Sequence, residues 1–152
     1  MGLLGKGAMV FWHDLSVDSS VDYQDWHSHE HLSERINVPG FLRGRRCSAI
    51  KGGGAYFIMY EVDDISVLTS QSYVECLNQP TPWTKRALRY FRNSNRTLCR
   101  TFFSKGIGVG SLLLTVRFSV EAGMRKNVED WLSLELLPTL SNKRGLTGGH
   151  LL

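Results

Sequence analysis

Phe41-Leu42-Arg43-Gly44-Arg45-Arg46-Cys47-Ser48-Ala49-Ile50 runs through Lys51-Gly52-Gly53-Gly54 into Ala55-Tyr56-Phe57-Ile58-Met59-Tyr60-Glu61-Val62. The first run reads as a strand, with Phe41, Arg43, Arg45, Cys47 and Ala49 on one side and Leu42, Gly44, Arg46, Ser48 and Ile50 on the other, because successive strand side chains alternate. The last run is rich in aromatic and branched residues, which suit a pleated, half-buried surface. Glycine accepts the backbone angles of a tight reversal, so the two runs form a hairpin around the three glycines.

Outward from the hairpin, each flank carries a helix and then a strand. Upstream, Pro39-Gly40 ends a helix expected from about Asp22 to Ile36, and Ser19 with Asp22 has capping-box spacing at its start. Met9 to Leu15 is the strand before it. Downstream, Ser66 to Leu77 reads as helical, and Asn78-Gln79-Pro80-Thr81-Pro82 interrupts it. Thr81 then caps a second piece with Pro82 in its first turn, running to about Arg92. Thr97 to Phe103 is the fourth strand. The order β-α-β-β-α-β is that of an α+β, ferredoxin-like unit, an antiparallel sheet with helices on one face.

After Gly106 and Gly108 the pattern restarts. Trp26-His27-Ser28-His29-Glu30-His31-Leu32 returns as Trp131-Leu132-Ser133-Leu134-Glu135-Leu136-Leu137, and Gly40-Phe41 returns as Gly145-Leu146. Leu112 to Phe118 matches the first strand and Val128 to Leu140 the first helix. Two units follow: residues 9–108, ferredoxin-like, and 111–152, a partial second repeat of β-α-β type. Leu136, Leu137, Leu140 and Leu151 of the partial repeat need cover from the first unit or from a partner chain, so a homodimer is expected.

The chain has 152 residues, is 42% hydrophobic and carries a net charge of +4. No apolar run approaches the roughly 20 residues that span a bilayer, and the N-terminus lacks the apolar core of a secretory signal. Three widely spaced cysteines without a Cys-x-x-Cys pair suit a reducing compartment, so the cytoplasm is expected. Lys85, Arg86, Arg89, Arg92, Arg96 and Arg100 read as a solvated helix face. RNA-recognition domains share the element order, but the strand from Gly54 to Tyr60 lacks their basic-glycine-aromatic spacing, so no nucleic acid is expected.

The second copy builds its helix with leucine where the first has His27, His29 and His31, which makes those histidines candidates for function. At about 100° per residue Tyr23, Trp26, His27, Glu30, His31 and Glu34 share an arc, with Val21, Leu32 and Ile36 opposite as the expected packing face. His29 falls outside the arc. A carboxylate beside imidazole orients it and tunes its proton affinity. The plainer alternative is a polar face turned to water. His27 to His31 also fits the inverted zinc-protease pattern, but no third ligand is identifiable, so neither metal nor cofactor is expected.

Glu30-His31-Leu32-Ser33-Glu34-Arg35, followed by Val38-Pro39-Gly40-Phe41-Leu42-Arg43-Gly44-Arg45-Arg46 and later by Thr81-Pro82-Trp83-Thr84, resembles an uncharacterised bacterial family of the dimeric α/β-barrel superfamily, distantly EthD-like. The resemblance implies two ferredoxin-like units whose sheets face each other, and marks Glu30, His31, Glu34, Arg35, Arg45 and Arg46. Relatives of that superfamily include antibiotic-biosynthesis monooxygenases, muconolactone isomerases and haem-handling enzymes, so the fold alone fixes no activity. The expected function is binding of a small molecule, with isomerase, lyase or monooxygenase chemistry. His31 would act as general acid or base, Glu30 or His27 would orient it, and Arg35 or Arg46 would hold an anionic group, while Trp26, Tyr56 and Trp83 shape an apolar pocket. A non-catalytic ligand carrier or structural dimer needs the same pocket without the acid-base arc.

Overall fold

β1 (Gly7–Leu15) is the strand on which the sheet is built, bonded on one side to β3 (Tyr56–Val62) and on the other to β4 (Phe91–Arg100). β2 (Phe41–Ser48) completes the antiparallel order β2-β3-β1-β4. The structure, a computed structural model, describes residues 2–152. Between β1 and β2 runs one helical segment made of α1 (Ser20–Trp26), a π turn (His27–His31) and α2 (Leu32–Ile36). Between β3 and β4 lie α3 (Gln71–Asn78) and α4 (Pro82–Ala87). This is the ferredoxin-like α+β fold, and it occupies one compact unit, Gly5–Arg100.

Met9, Phe41, Ile58, Tyr60, Val62, Leu68 and Tyr73 form one buried cluster, and Tyr23, Trp26, Tyr56 and Ala87 form a second. The hairpin forms around the glycine turn as its sequence indicates, but a bulge between Phe41 and Arg43 re-phases β2. Phe41 therefore joins the core against Tyr60 and Tyr73, whereas Arg43 pairs with Glu61 at 2.7 Å. The expected common side for Phe41 and Arg43 fails because a bulge places two residues opposite one.

Other boundaries moved for local reasons. Thr81 caps α4 as expected, its Oγ1 accepting from the Thr84 N–H at 2.9 Å. Ser19 and Asp22 form no capping box: Ser19 donates to the Ser16 carbonyl at 2.7 Å, and Asp22 accepts from Trp83, Arg86 and Tyr90. The helix expected over Ser66 to Leu77 is cut at Ser70, whose extended backbone separates a short 3₁₀ turn (Ile65–Thr69) from α3. β4 starts at Phe91 rather than Thr97, because pairing with β1 supplies its backbone bonds whatever its side chains. The arginines from Arg92 onward thus stand on a strand, not a helix face.

The other compact unit comprises residues 2–4 and Thr101–Leu152. It holds β5 (Phe103–Gly106) paired with β6 (Gly148–Leu151), and a helical segment of α5 (Arg125–Trp131), a second π turn (Leu132–Leu136) and α6 (Leu137–Ser141). The strand expected over Leu112 to Phe118 is absent: the segment joins no sheet among the described residues, and Leu112, Leu114, Val116 and Phe118 are exposed. Alternating sequence alone does not make a strand.

Candidate functional site

The π turn sets the site. The Leu32 N–H donates to the His27 carbonyl, five residues back, so each residue sweeps a smaller angle than in an α-helix and the side chains after Trp26 are re-aimed. The arc of aromatics and histidines turns inward: Tyr23 is 0% exposed, Trp26 1% and His27 1%. Val21, expected on the packing face, is 72% exposed, while Leu32 and Ile36 pack only at the edge of the core. Large aromatic rings bury far more area than valine, and that decides which face packs. The reading of this arc as a solvated polar face is therefore incorrect. His29 is exposed, its Nδ1 2.9 Å from the Asp25 carbonyl.

Beneath this helical segment lies a cavity of about 200 Å³, enclosed by β1, β3, β4, α3 and α4. Of the residues singled out from sequence, His27, His31, Arg35 and Trp26 line it. The His31 ring packs on Trp26 with centroids 4.3 Å apart and 31° between planes. His31 Nδ1 is buried without a hydrogen-bond partner and lies 3.7 Å from Glu34 Oε2, too far for a good hydrogen bond. His27 Nε2 stands 3.3 Å from the Tyr60 hydroxyl.

Four expected site residues lie elsewhere. Glu30 does not orient His31; its Oε1 accepts from Thr81 at 2.6 Å and Thr84 at 3.1 Å, and Thr84 in turn accepts from Trp26 Nε1 at 3.0 Å. That chain of bonds ties the helical segment to α4. Arg46 lies over the Tyr23 ring and donates to the Gln24 carbonyl and Ser28. Tyr56 packs in the second core cluster, and Trp83 donates to Asp22 with Arg86 over its ring. Each of these four bears on the packing around the cavity rather than on its lining.

Tyr60, Tyr73 and Arg96 also line the cavity, and the motifs of the sequence do not point to them. Tyr60 shares a face of β3 with Ile58, a signal the alternation carried. Arg96 was lost in a basic run, and only the β1–β4 register, which sets it opposite Phe11, brings it here. His13 lies outside the cavity, fully buried among Phe11, Tyr56 and Phe91, with both ring nitrogens unpartnered.

Burial keeps the imidazoles neutral. It pushes His31 well below its ordinary value, helped by the Arg35 charge and by His27. Burial likewise lowers His27 to about 3, with Arg46 adding to the effect, and lowers His13 to about 4. The Tyr60 hydroxyl is pushed up by burial, and Glu34 is raised by partial burial against the opposing pull of Arg35. At neutral pH the cavity therefore presents two neutral imidazoles, two phenols and two guanidinium groups. Among the described residues no three His, Cys, Asp or Glu side chains gather in a way that would hold a metal ion.

No protein-family model and no curated protein matches the chain. Solved structures do. The cofactor-independent oxygenase SnoaB from Streptomyces nogalater is 12% identical over 62% of this chain and 92% of its own, with a TM-score of 0.46. The heme-degrader MhuD from Mycobacterium tuberculosis, solved with two hemes in its active site, is 10% identical over 62% of this chain and 93% of its own, also at 0.46. A dimeric protein of unknown function and ferredoxin-like fold from Bacteroides fragilis is 9% identical over 64% of this chain and 98% of its own, at 0.45. At these identities the likeness concerns the fold and no more.

Proposed function

We propose that the Gly5–Arg100 unit binds a small molecule in its helix–sheet cavity and that His31 accepts a proton there. The observation that carries this reading is the buried, unpartnered Nδ1 of His31 on the wall of an open cavity. Leaving a buried polar atom unpaired costs about 1–3 kcal/mol, and of the unpartnered buried side-chain atoms found among the described residues, the one on His31 belongs to a residue that lines the cavity, where a ligand can reach it. A neutral imidazole starts a reaction as base, a weak one here because burial and the Arg35 charge lower its proton affinity, so proton removal requires an acidic proton on the bound molecule. Trp26 fixes the ring, and Glu34 is the nearest carboxylate to it. The cavity is smaller than the roughly 300–1,000 Å³ of drug-sized sites, which supports a compact ligand.

The helix motif from Glu30 to Arg35 and the basic strand after it support a distant place beside EthD-like proteins within the dimeric α/β-barrel superfamily. The exposed apolar run from Leu112 to Phe118 supports a homodimer, and three free thiols support a reducing compartment. No helix among the described residues is long and apolar enough to cross a membrane.

Native mass spectrometry of the purified chain, read for retained ligand and oligomeric state, identifies what fills the cavity. With a substrate in hand, His31→Ala is expected to abolish turnover while leaving the fold intact. Unchanged turnover in that variant would remove His31 from the chemistry and leave a ligand carrier.

A further inference from the structure

We infer that the cavity is built for a small organic carboxylate, seated on Arg35 inside and met by Arg96 at the mouth. The inference rests on the reading of the cavity as a ligand site. Arg35 is 5% exposed, and its Nη1 donates to the sulfur of Cys76 at 2.9 Å. Arg96 is exposed; its Nε donates to Met9 Sδ at 2.9 Å and its Nη2 to the Tyr73 hydroxyl at 3.0 Å. Both guanidinium carbons lie over the Tyr73 ring, at 5.6 and 5.9 Å.

Neither guanidinium forms an ion pair among the described residues. Arg43 and Arg86 of the same unit, by contrast, meet carboxylates, Glu61 and Asp22, while Arg46 and Arg92 bond backbone carbonyls at the exposed surface. Here the charges meet a thioether, a thiol and one neutral phenol, the sulfurs being weak acceptors, and a guanidinium carries five donors. A buried charge without a counter-ion is costly, and the cost is relieved when an anion arrives. Carboxylate matches the guanidinium fork in shape and charge and would exchange sulfur contacts for charge-assisted hydrogen bonds.

The other charged groups do not supply that anion. Glu30 is engaged by Thr81 and Thr84, and Glu34 feels Arg35 without bonding it. Neutral His27 and His31 leave the lining with an uncompensated positive charge. Met9, Phe11, Ile58 and Phe91 make the remaining wall apolar, so the fitting molecule has a carboxylate at one end and a compact hydrocarbon or aromatic body.

The test compares benzoate with its neutral, nearly isosteric amide, benzamide, by isothermal titration and by quenching of tryptophan fluorescence on the intact chain. Benzoate is expected to bind about tenfold more tightly, the scale of one charge-assisted contact. Arg35→Met is expected to erase that preference while keeping benzamide binding, and Arg35→Lys to restore part of it. Because Arg35 is buried, Arg96→Gln, at the exposed mouth, serves as the second variant and should weaken benzoate binding and its salt dependence alone. Equal binding of both probes, or a preference unmoved by Arg35→Met and Arg96→Gln, would overturn the carboxylate assignment and leave the cavity reading standing. Failure of both probes to bind would overturn the two together.

Discussion

The helical segments at 20–36 and 125–141 share one backbone pattern in different surroundings. Both place a five-residue π turn after the tryptophan: the Leu32 N–H donates to His27, and the Leu137 N–H donates to Leu132. Both end ahead of a glycine at φ 91°, Gly40 and Gly145. The histidines therefore do not make the π turn, since leucines make it as well. Pro138, which has no N–H to give, stands just past the second π turn, where an interrupted ladder tolerates it. What differs is the cover. Trp26 faces a four-stranded sheet and is buried, whereas Trp131 is 49% exposed. An unusual helix turn is often taken as a mark of function. Here both segments carry it, one with histidines and one with leucines.

The comparison can be broken most directly at the tryptophans. Trp26→Ala removes a buried ring and its bond to Thr84 and is expected to cost about 3–5 kcal/mol in denaturant unfolding. Trp131→Ala should cost under about 1 kcal/mol, as for a half-exposed side chain. Equal losses would mean the two helices are covered alike.

The histidines sharpen it next. Unfolded imidazole titrates near 6.5 and folded His27 near 3, so the unfolded chain binds more protons between those values. Stability is complete above about 6.5 and falls as the pH drops toward 3. At pH 5 each such imidazole removes about 2 kcal/mol, and His27→Leu, which copies Leu132, should shrink the loss by about that much. Urea unfolding at pH 7 and pH 5 reads the difference, and an unchanged slope would mean His27 is not buried neutral.

Smaller effects come from the glycines. A Cβ on Gly40 would stand 2.5 Å from Val67 Cγ2, whereas one on Gly145 meets nothing within 4 Å. Alanine at either position bears left-handed strain of about 1 kcal/mol, and at Gly40 the clash should roughly double it. Thermal melts of the two variants check the order. Smallest of all, His29→Leu, at the exposed match of Leu134, should shift stability by less than about 0.5 kcal/mol and leave ligand binding unchanged.

Much of the fold was legible because its signals are local. Thr81-Pro82 caps a helix by its own hydroxyl, Pro39-Gly40 turns the chain, and three glycines close a hairpin. Less of the cavity was legible. The sequence marked His27, His31, Arg35 and Trp26 but assigned Glu30 to the wrong partner, since only α4 offers it Thr81 and Thr84. Arg46, Tyr56 and Trp83 carry chemistry that suits a site, and their neighbours in the fold use that chemistry for packing.

By itself the sequence determined the order of elements in the ferredoxin-like unit and the helix that carries the candidate histidines, because spacing, capping and turn chemistry act between residues close along the chain. The tertiary structure alone decided which face of that helix is buried, that Phe41 and Arg43 part company at a bulge, and that Arg96 joins Arg35 around Tyr73. It also left residues 112–118 outside any sheet among the described residues. Those outcomes depend on strand register and on which surfaces meet, and such long-range geometry has no imprint in the local pattern.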